Sequence, residues 1–347
     1  MRRYVSQRVL SSIVVLAGLI AIAFVLVQIL PGDPARAAAG RNATAAQVAA
    51  LHASMGLDKP LIVQFGAYLG RLAQGDFGNS VFTHRPVVED IAAVLPSSLE
   101  LVFSAMLINI FIAVPIGVFA AYRRGKMADV ASRMMVLIGA ALPVFWLGLL
   151  LQLLFASVLG LLPLYGQLDF GVTVPLLTGA VTLDSLLVGD MNAFRSSIVH
   201  LILPAVTLSV SFIAVIARTV RSSMITALDS DFITLARATG ASELRIVVRH
   251  GLRNALIPMS TILGMQLGWM LGTTVLVETV FNRTGIGAYM VTAVLQNDLH
   301  AVIGSILVIG VVFLVTNFAI DLIQLWINPK LRSEFSVSSP KKAKLAP

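Results

Sequence analysis

Residues 196–217 read SSIVHLILPAVTLSVSFIAVIA, without one Asp, Glu, Lys or Arg. Residues 218–253 follow as RTVRSSMITALDSDFITLARATGASELRIVVRHGLR, with six arginines. The first stretch is long enough to cross a hydrocarbon core, which takes about 20 apolar residues in a helix. The second carries too much charge to stay there and marks one face of a membrane. Five further blocks share the first one's character: Val9 to Leu30, Leu101 to Tyr122, Met134 to about Gly160, Asn254 to Val277 and Leu299 to Ile320. In lipid the backbone must bond to itself, so these blocks predict helices. A β-barrel would show short alternating segments instead. The fold class is all-α, with six transmembrane helices.

Composition agrees. Of 347 residues, 57% belong to the apolar set and 12% are charged, about half the charge of a soluble domain. That excludes a water-soluble enzyme and a disordered chain. Cysteine is absent, which removes disulfides, thiolate metal sites and cysteine nucleophiles together. The net charge of +8 fits nucleic acid or anionic lipid; hydropathy selects membrane lipid, and no nucleic-acid partner is expected. Met1-Arg2-Arg3 before an apolar run also describes a signal peptide, with Ala35-Arg36-Ala37 for cleavage. A signal's apolar core is only about 7–15 residues long, so this run reads as a retained span.

No charge occurs from Met134 to Leu168, too long for one span, and Gly160 and Pro163 are expected to end that helix. Phe170 to Leu183, interrupted by Gly171, Pro175 and Gly179, reads as an interfacial or re-entrant piece. Lys and Arg gather on the cytoplasmic side of membrane proteins. With six spans and the N-terminus inside, 18 of the 25 basic residues lie inside and seven outside. A seventh span before Ser196 would turn the six arginines outward. The expected organisation is therefore a cytoplasmic N-terminus (1–8), span 1 (9–30), an outer loop (31–98), a five-span core (99–332) with an inward loop at 218–257, and a flexible basic cytoplasmic tail (333–347). Helix-like mixing of polar and apolar residues marks Ala45 to Met55 and Leu61 to Leu72 in the outer loop.

The inward loop is the most informative segment. Phe232, Leu235 and Ala236 stand at helical spacing in Asp229 to Thr239, followed by Gly240, which can take the left-handed conformation that ends a helix. Ser242 can cap a second helix through Leu244, Val247, Val248 and Leu252, with Pro258 introducing the fifth span. Arg237, Arg245, Arg249 and Arg253 surround the turn. A basic loop among anionic headgroups would explain the arginines but not a built turn with small residues beside it. A small-residue ridge suits the groove of a partner protein.

Asp231-Phe232-Ile233-Thr234-Leu235-Ala236-Arg237-Ala238-Thr239-Gly240, with Arg249-His250-Gly251-Leu252-Arg253-Asn254-Ala255-Leu256-Ile257-Pro258, resembles the coupling motif of the permease subunits of ATP-binding-cassette importers for dipeptides, oligopeptides and nickel. The wider importer pattern has Glu-Ala-Ala where this chain has Thr234-Leu235-Ala236, and its proline comes earlier than Pro258. Further segments resemble the same family in order: Leu30-Pro31-Gly32-Asp33-Pro34, Gly56-Leu57-Asp58-Lys59-Pro60, Gly75-Asp76-Phe77-Gly78, Pro96-Ser97-Ser98-Leu99-Glu100-Leu101, Leu142-Pro143-Val144-Phe145-Trp146, His200-Leu201-Ile202-Leu203-Pro204 and Val277-Glu278-Thr279-Val280-Phe281. The resemblance implies a type I importer permease in a bacterial cytoplasmic (inner) membrane, with both termini cytoplasmic. It implies a homologous second permease, two cytoplasmic ATPase subunits that hold ATP and Mg, and an external substrate-binding protein. It places ATPase coupling on Asp231, Thr234, Leu235, Ala236, Gly240, Arg249, His250 and Asn254. The translocation path, or contact with the binding protein, falls to Glu278, Gln266, Trp269 and Asp33.

Gly264, Gly268 and Gly272 share a helix face and favour close packing over a pore lining. Intramembrane acids are costly, so Glu278 and Asp321 each read either as functional or as reaching an interface or an arginine. His250 reads as a packing residue rather than a pH switch, and the other histidines show no metal-ligand spacing. Gly125-Lys126 is followed by Met127 and lacks the lead of a phosphate loop, and no His-Glu-x-x-His or Gly-x-Ser-x-Gly occurs. The chain is expected to bind no cofactor or metal, to have no catalytic residue and not to be an enzyme. The expected function is inward movement of small peptides or a related solute, driven by ATP in partner subunits. The alternatives are an ion-gradient transporter, disfavoured by the lack of central acids in spans one to five, and a non-transporting scaffold.

Overall fold

The computed structural model describes residues 2–29, 35–36, 43–54 and 56–327. Asp33 with its Pro-Gly-Asp-Pro motif, and the tail 333–347, lie outside the described residues. Regular structure among the described residues is helical, apart from one isolated β-bridge between Asn79 and Pro86. In chain order the helices are α1 (Arg2–Ile29), α2 (Ala45–Ser54), α3 (Leu61–Ala73), α4 (Val87–Tyr122), α5 (Met127–Ala141), α6 (Val144–Leu151), α7 (Val181–Val188), α8 (Met191–Leu228), α9 (Asp231–Ala238), α10 (Glu243–Arg245), α11 (Arg253–Val280), α12 (Ile286–Leu295) and α13 (Leu299–Ile327). Two π-helical turns, Gln152–Val158 and Ile246–Leu252, continue α6 and α10.

Helices α1, α4, α8, α11 and α13 are each long and apolar enough to cross a membrane. The expected third span is where structure and sequence part. Instead of one helix from Met134 to about Gly160, α5 and α6 with its π-turn meet at a 100° bend. The pair makes a sixth crossing if it is one broken span. Pro143 is the cause: its ring disfavours the helical region for the residue before it, and Leu142 is extended at φ −79°, ψ 135°. The helical stretch then ends at Val158, with Gly160 at φ +62°. Residues 161–180 hold no helix, so the uncharged run from Phe170 forms no seventh span.

Helices α4 and α8 pack along most of their length and, with α11, enclose the central core of Leu101, Val102, Leu208, Met270, Leu271 and Phe281. Between lipid-soluble helices, association rests on close packing and hydrogen bonds rather than on water exclusion. Gly117 illustrates the closeness: a Cβ there would lie 2.7 Å from the Ala217 carbonyl oxygen on α8. Helix α1 lies against α13 through Ala23, Ile303 and Leu307. At the opposite end of the same pair Arg8 meets Asp321 at 2.9 Å, so the acid near the end of the last span reaches an arginine.

The glycine face of α11 divides. A Cβ on Gly264 would lie 3.0 Å from Ile320, and one on Gly268 would collide with the Phe313 ring. Gly272 has nothing within 4 Å. Gly268→Ala is expected to destabilise the solubilised protein by about 1–3 kcal/mol through overpacking. Gly272→Ala should leave it unchanged, and thermal unfolding of the two variants side by side checks the contrast.

Candidate functional site

The segment between α8 and α11 folds as a hairpin. Its first arm, α9, ends in a Schellman turn. Thr239 closes the helix, Gly240 adopts φ +80°, the Gly240 N–H donates to the Arg237 carbonyl and the Ala241 N–H to the Ala236 carbonyl, each at 3.0 Å. Arg237 and Glu243 pair across the turn at 3.0 Å. Ser242 stands at the start of the second arm but makes no side-chain cap; its carbonyl accepts from the Ile246 N–H instead. The expected capping hydroxyl is therefore corrected.

Pro258 opens the apolar stretch Pro258–Val280 that is long enough to cross a membrane, but it does not begin a helix. Helix α10, the π-turn 246–252 and α11 run on without a break from Glu243 to Val280, with Pro258 inside α11. A proline's missing N–H frees one carbonyl of the preceding turn, which neighbouring groups in a helix bundle can satisfy.

The hairpin has an anchored side and an open side. Ile233 and Ile246 are fully buried, and Gly251 lets the π-turn approach Met224 and Leu228 of α8. Opposite them Phe232, Leu235, Leu244 and Val248 are exposed, Leu244 by 75%. Asp231, Thr234, Gly240, Arg249 and Asn254 also face outward, and Ala236 and His250 are half-buried. Asn254 donates to the His250 carbonyl at 2.8 Å, and Thr239 to the carbonyls of Leu235 and Ala236. Arg124, just after α4, pairs with Asp229 at 2.8 Å, tying the hairpin's base to a second helix. Of the eight residues expected at the coupling element, six are exposed and two half-buried.

Helix α11 carries a second open surface. Asn254, Pro258, Thr261, Met265, Trp269, Gly272, Leu276 and Thr279 are its exposed residues at three- and four-residue steps, one stripe along the whole helix. Trp269, 70% exposed, sits at its middle. The stripe mixes hydroxyls, an amide and an indole with apolar groups. Gln266 is not on it. Its side chain is buried, with Nε2 3.4 Å from the Phe212 carbonyl on α8.

Glu278 is fully enclosed. Its carboxylate accepts from the Ser98 hydroxyl at 2.5 Å and from the Gly287 and Ala288 N–H groups at 2.8 and 3.0 Å. It therefore braces the start of α12 against α4 and α11. Two further acids, Asp298 and Glu100, hold this end of the bundle together. Asp298 accepts from the Ser80 hydroxyl and the Val81 N–H at 2.6 and 2.7 Å, holding the loop before α4 on the start of α13. Glu100 pairs with buried Arg283 at 2.6 Å. At the hairpin end, Asp129 of α5 meets Arg221 of α8 in two bonds of 2.8 Å. These partners stand 92 to 218 residues apart, so no local pattern signals them.

Comparisons with known proteins fit this architecture. The model of the family described as "Binding-protein-dependent transport system inner membrane component" matches residues 113–333, and that of the corresponding N-terminal family matches residues 1–102. The chain is 41% identical over 326 residues to a probable D,D-dipeptide transport system permease protein of Escherichia coli, covering 94% of this chain and 96% of that one. It is 36% identical over 332 residues to a dipeptide transport system permease protein of Alkalihalophilus pseudofirmus, covering 96% and 100%. It is also 36% identical over 332 residues to a glutathione transport system permease protein of Salmonella choleraesuis, covering 96% and 99%. Among solved structures, an inward-facing form of the MetNI methionine ABC transporter superposes with a TM-score of 0.50 at 19% identity, covering 67% of this chain and 93% of that one; that likeness speaks for the fold alone. With both family models matched along nearly its whole length and relatives of this identity, the chain belongs to the inner-membrane permease components of binding-protein-dependent ABC import systems.

Proposed function

We propose that this permease moves di- or oligopeptides, or a related small peptide-like solute such as glutathione, inward through a passage shared with a homologous second permease. The relatives' substrates, D,D-dipeptides, dipeptides and glutathione, support that class. The observation that carries the mechanism is the unbroken helical run from Glu243 to Val280. It joins the hairpin's exposed apolar surface to the open stripe around Trp269. Two cytoplasmic ATPase subunits dock on the inner face of the permease pair, one of them over residues 229–254. ATP and Mg²⁺ belong to those subunits. Closing the ATPases pushes on the hairpin, and the rigid run carries the displacement to the stripe that borders the passage. The nucleotide can shift the permease between inward- and outward-open states only by contacting the two differently, and the hairpin supplies that differential contact. An external binding protein delivers the solute, and the termini and hairpin face the cytoplasm, as the distribution of Lys and Arg supports.

Uptake of a labelled dipeptide by cells carrying the full set of subunits tests this reading. Uptake is expected to survive an uncoupler while ATP is maintained and to stop when ATP is depleted. The reverse pattern would point to an ion-gradient transporter. A purified permease that brings down no ATPase would favour a scaffold.

A further inference from the structure

At the end of the bundle away from the hairpin, a cavity of about 470 Å³ opens between α1, α3 and the start of α13. Lys59, Tyr68, Arg71 and His300 line it, with Gln28 and Gln64 bridging α1 to α3 through a 3.1 Å bond. The Tyr68 hydroxyl is buried without a hydrogen-bond partner among the described residues. Neither Lys59 nor Arg71 forms an ion pair among the described residues. Asp76 also lines the cavity. Its carboxylate accepts from the Gly78 N–H at 2.8 Å, and the charge of these groups remains positive. Burial raises the Tyr68 pKa above its ordinary value, with Arg71 opposing, so the phenol stays protonated and is a donor.

The remaining wall is apolar, with Phe24, Val63, Phe77 and Ile303. Phe24 stacks edge-on to Phe65 at 5.1 Å. The roof, α3, turns Leu61, Ile62 and Leu69 outward, Ile62 by 76%. A helix with that exposed face belongs at a membrane surface, its apolar side sunk among headgroups. The cavity also stands beside the ends of the apolar stretches Ser6–Leu26 and Leu299–Ile323, each long enough to cross a membrane. Unpaired cations, an unsatisfied buried donor and an apolar wall at that depth match one ligand chemistry.

We propose that this cavity holds the phosphodiester headgroup of a phospholipid from the leaflet opposite the hairpin. Lys59 and Arg71 bind the phosphate, Tyr68 donates to it, and the first carbons of an acyl chain lie along Phe24, Val63 and Ile303. A soluble phosphate has the same oxyanion chemistry but nothing for the apolar wall.

Native mass spectrometry of the assembled transporter, extracted in mild detergent, tests the assignment. The wild type is expected to retain a phospholipid. Lys59→Gln with Arg71→Gln should weaken retention on the order of thirty-fold, the effect of two basic residues at a membrane surface. Tyr68→Phe, which deletes one oxygen, should weaken it several-fold and decides the matter should the double variant fail to assemble. Added phosphatidylglycerol should rebind to delipidated complex, while diacylglycerol with the same chains should not. Equal retention in all variants, or equal binding of diacylglycerol, would overturn the proposal. Displacement of the lipid by inorganic phosphate would assign the cations to a soluble anion instead.

Discussion

Replacing Gly240 by proline is expected to lower peptide uptake at least tenfold while membrane insertion and ATPase assembly persist. Gly240 sits at φ +80° and its N–H closes the turn on Arg237. Proline is locked near φ −65° and has no N–H, so the Schellman turn cannot form and the two arms lose their fixed angle. Backbone strain of this kind costs about 1–3 kcal/mol, enough to redirect a surface hairpin but not to unfold the bundle beneath it. Ala236→Arg attacks the same contact differently: the backbone is kept, and a long charged side chain is placed on the half-buried small-residue ridge. Transporters assembled with either variant should hydrolyse ATP without matching transport, measured in vesicles as solute moved per ATP consumed. A normal ratio in both would remove the hairpin from the coupling mechanism.

Glu278→Ala is expected to give the largest loss of stability. The enclosed carboxylate satisfies the Ser98 hydroxyl and the amides of Gly287 and Ala288. Each buried donor left unsatisfied costs about 1–3 kcal/mol, and the truncation adds a void. The apparent melting temperature of the purified permease should drop sharply, with Glu278→Gln intermediate because its amide oxygen still accepts. A substrate-contacting role gives another signature: Glu278→Gln would raise the KM for uptake with no change in melting temperature. Measuring both on one variant separates bracing from recognition.

Much of the architecture is legible in the sequence because the bilayer imposes a simple rule: a helix that crosses it is free of charge for about 20 residues. That rule locates α1, α4, α8, α11 and α13 from charge-free blocks alone. It does not locate helix ends, since α4 and α8 run on beyond their uncharged stretches, to Val87 and Leu228. Nor does it say which prolines break helices. Pro96, Pro115, Pro204 and Pro258 all lie inside continuous helices, whereas Pro143 accompanies the 100° bend; neighbouring helices determine whether a freed carbonyl is satisfied. At the hairpin, helical spacing and the terminal glycine indicate a turn, because both are local properties. The inward rotation of Gln266 onto Phe212 and the enclosure of Glu278 by Ser98 depend on segments 54 and 180 residues away, and no local pattern contains them.

The continuity of residues 243–280 has a mechanical consequence. At a rise of about 1.5 Å per residue, such a rod is roughly 57 Å long. Tilted by about a tenth of a radian about its hairpin end, it sweeps its far end sideways by roughly 6 Å, a displacement comparable to the width of an amino-acid side chain. The π-turn 246–252 and Pro258 lie in its first part, so any slack in the stroke is confined to the stretch from Glu243 to Pro258. On the proposed coupling, the amplitude of the gate depends on where the rod pivots, and substitutions that move the fulcrum are expected to alter which solutes pass without touching any of them.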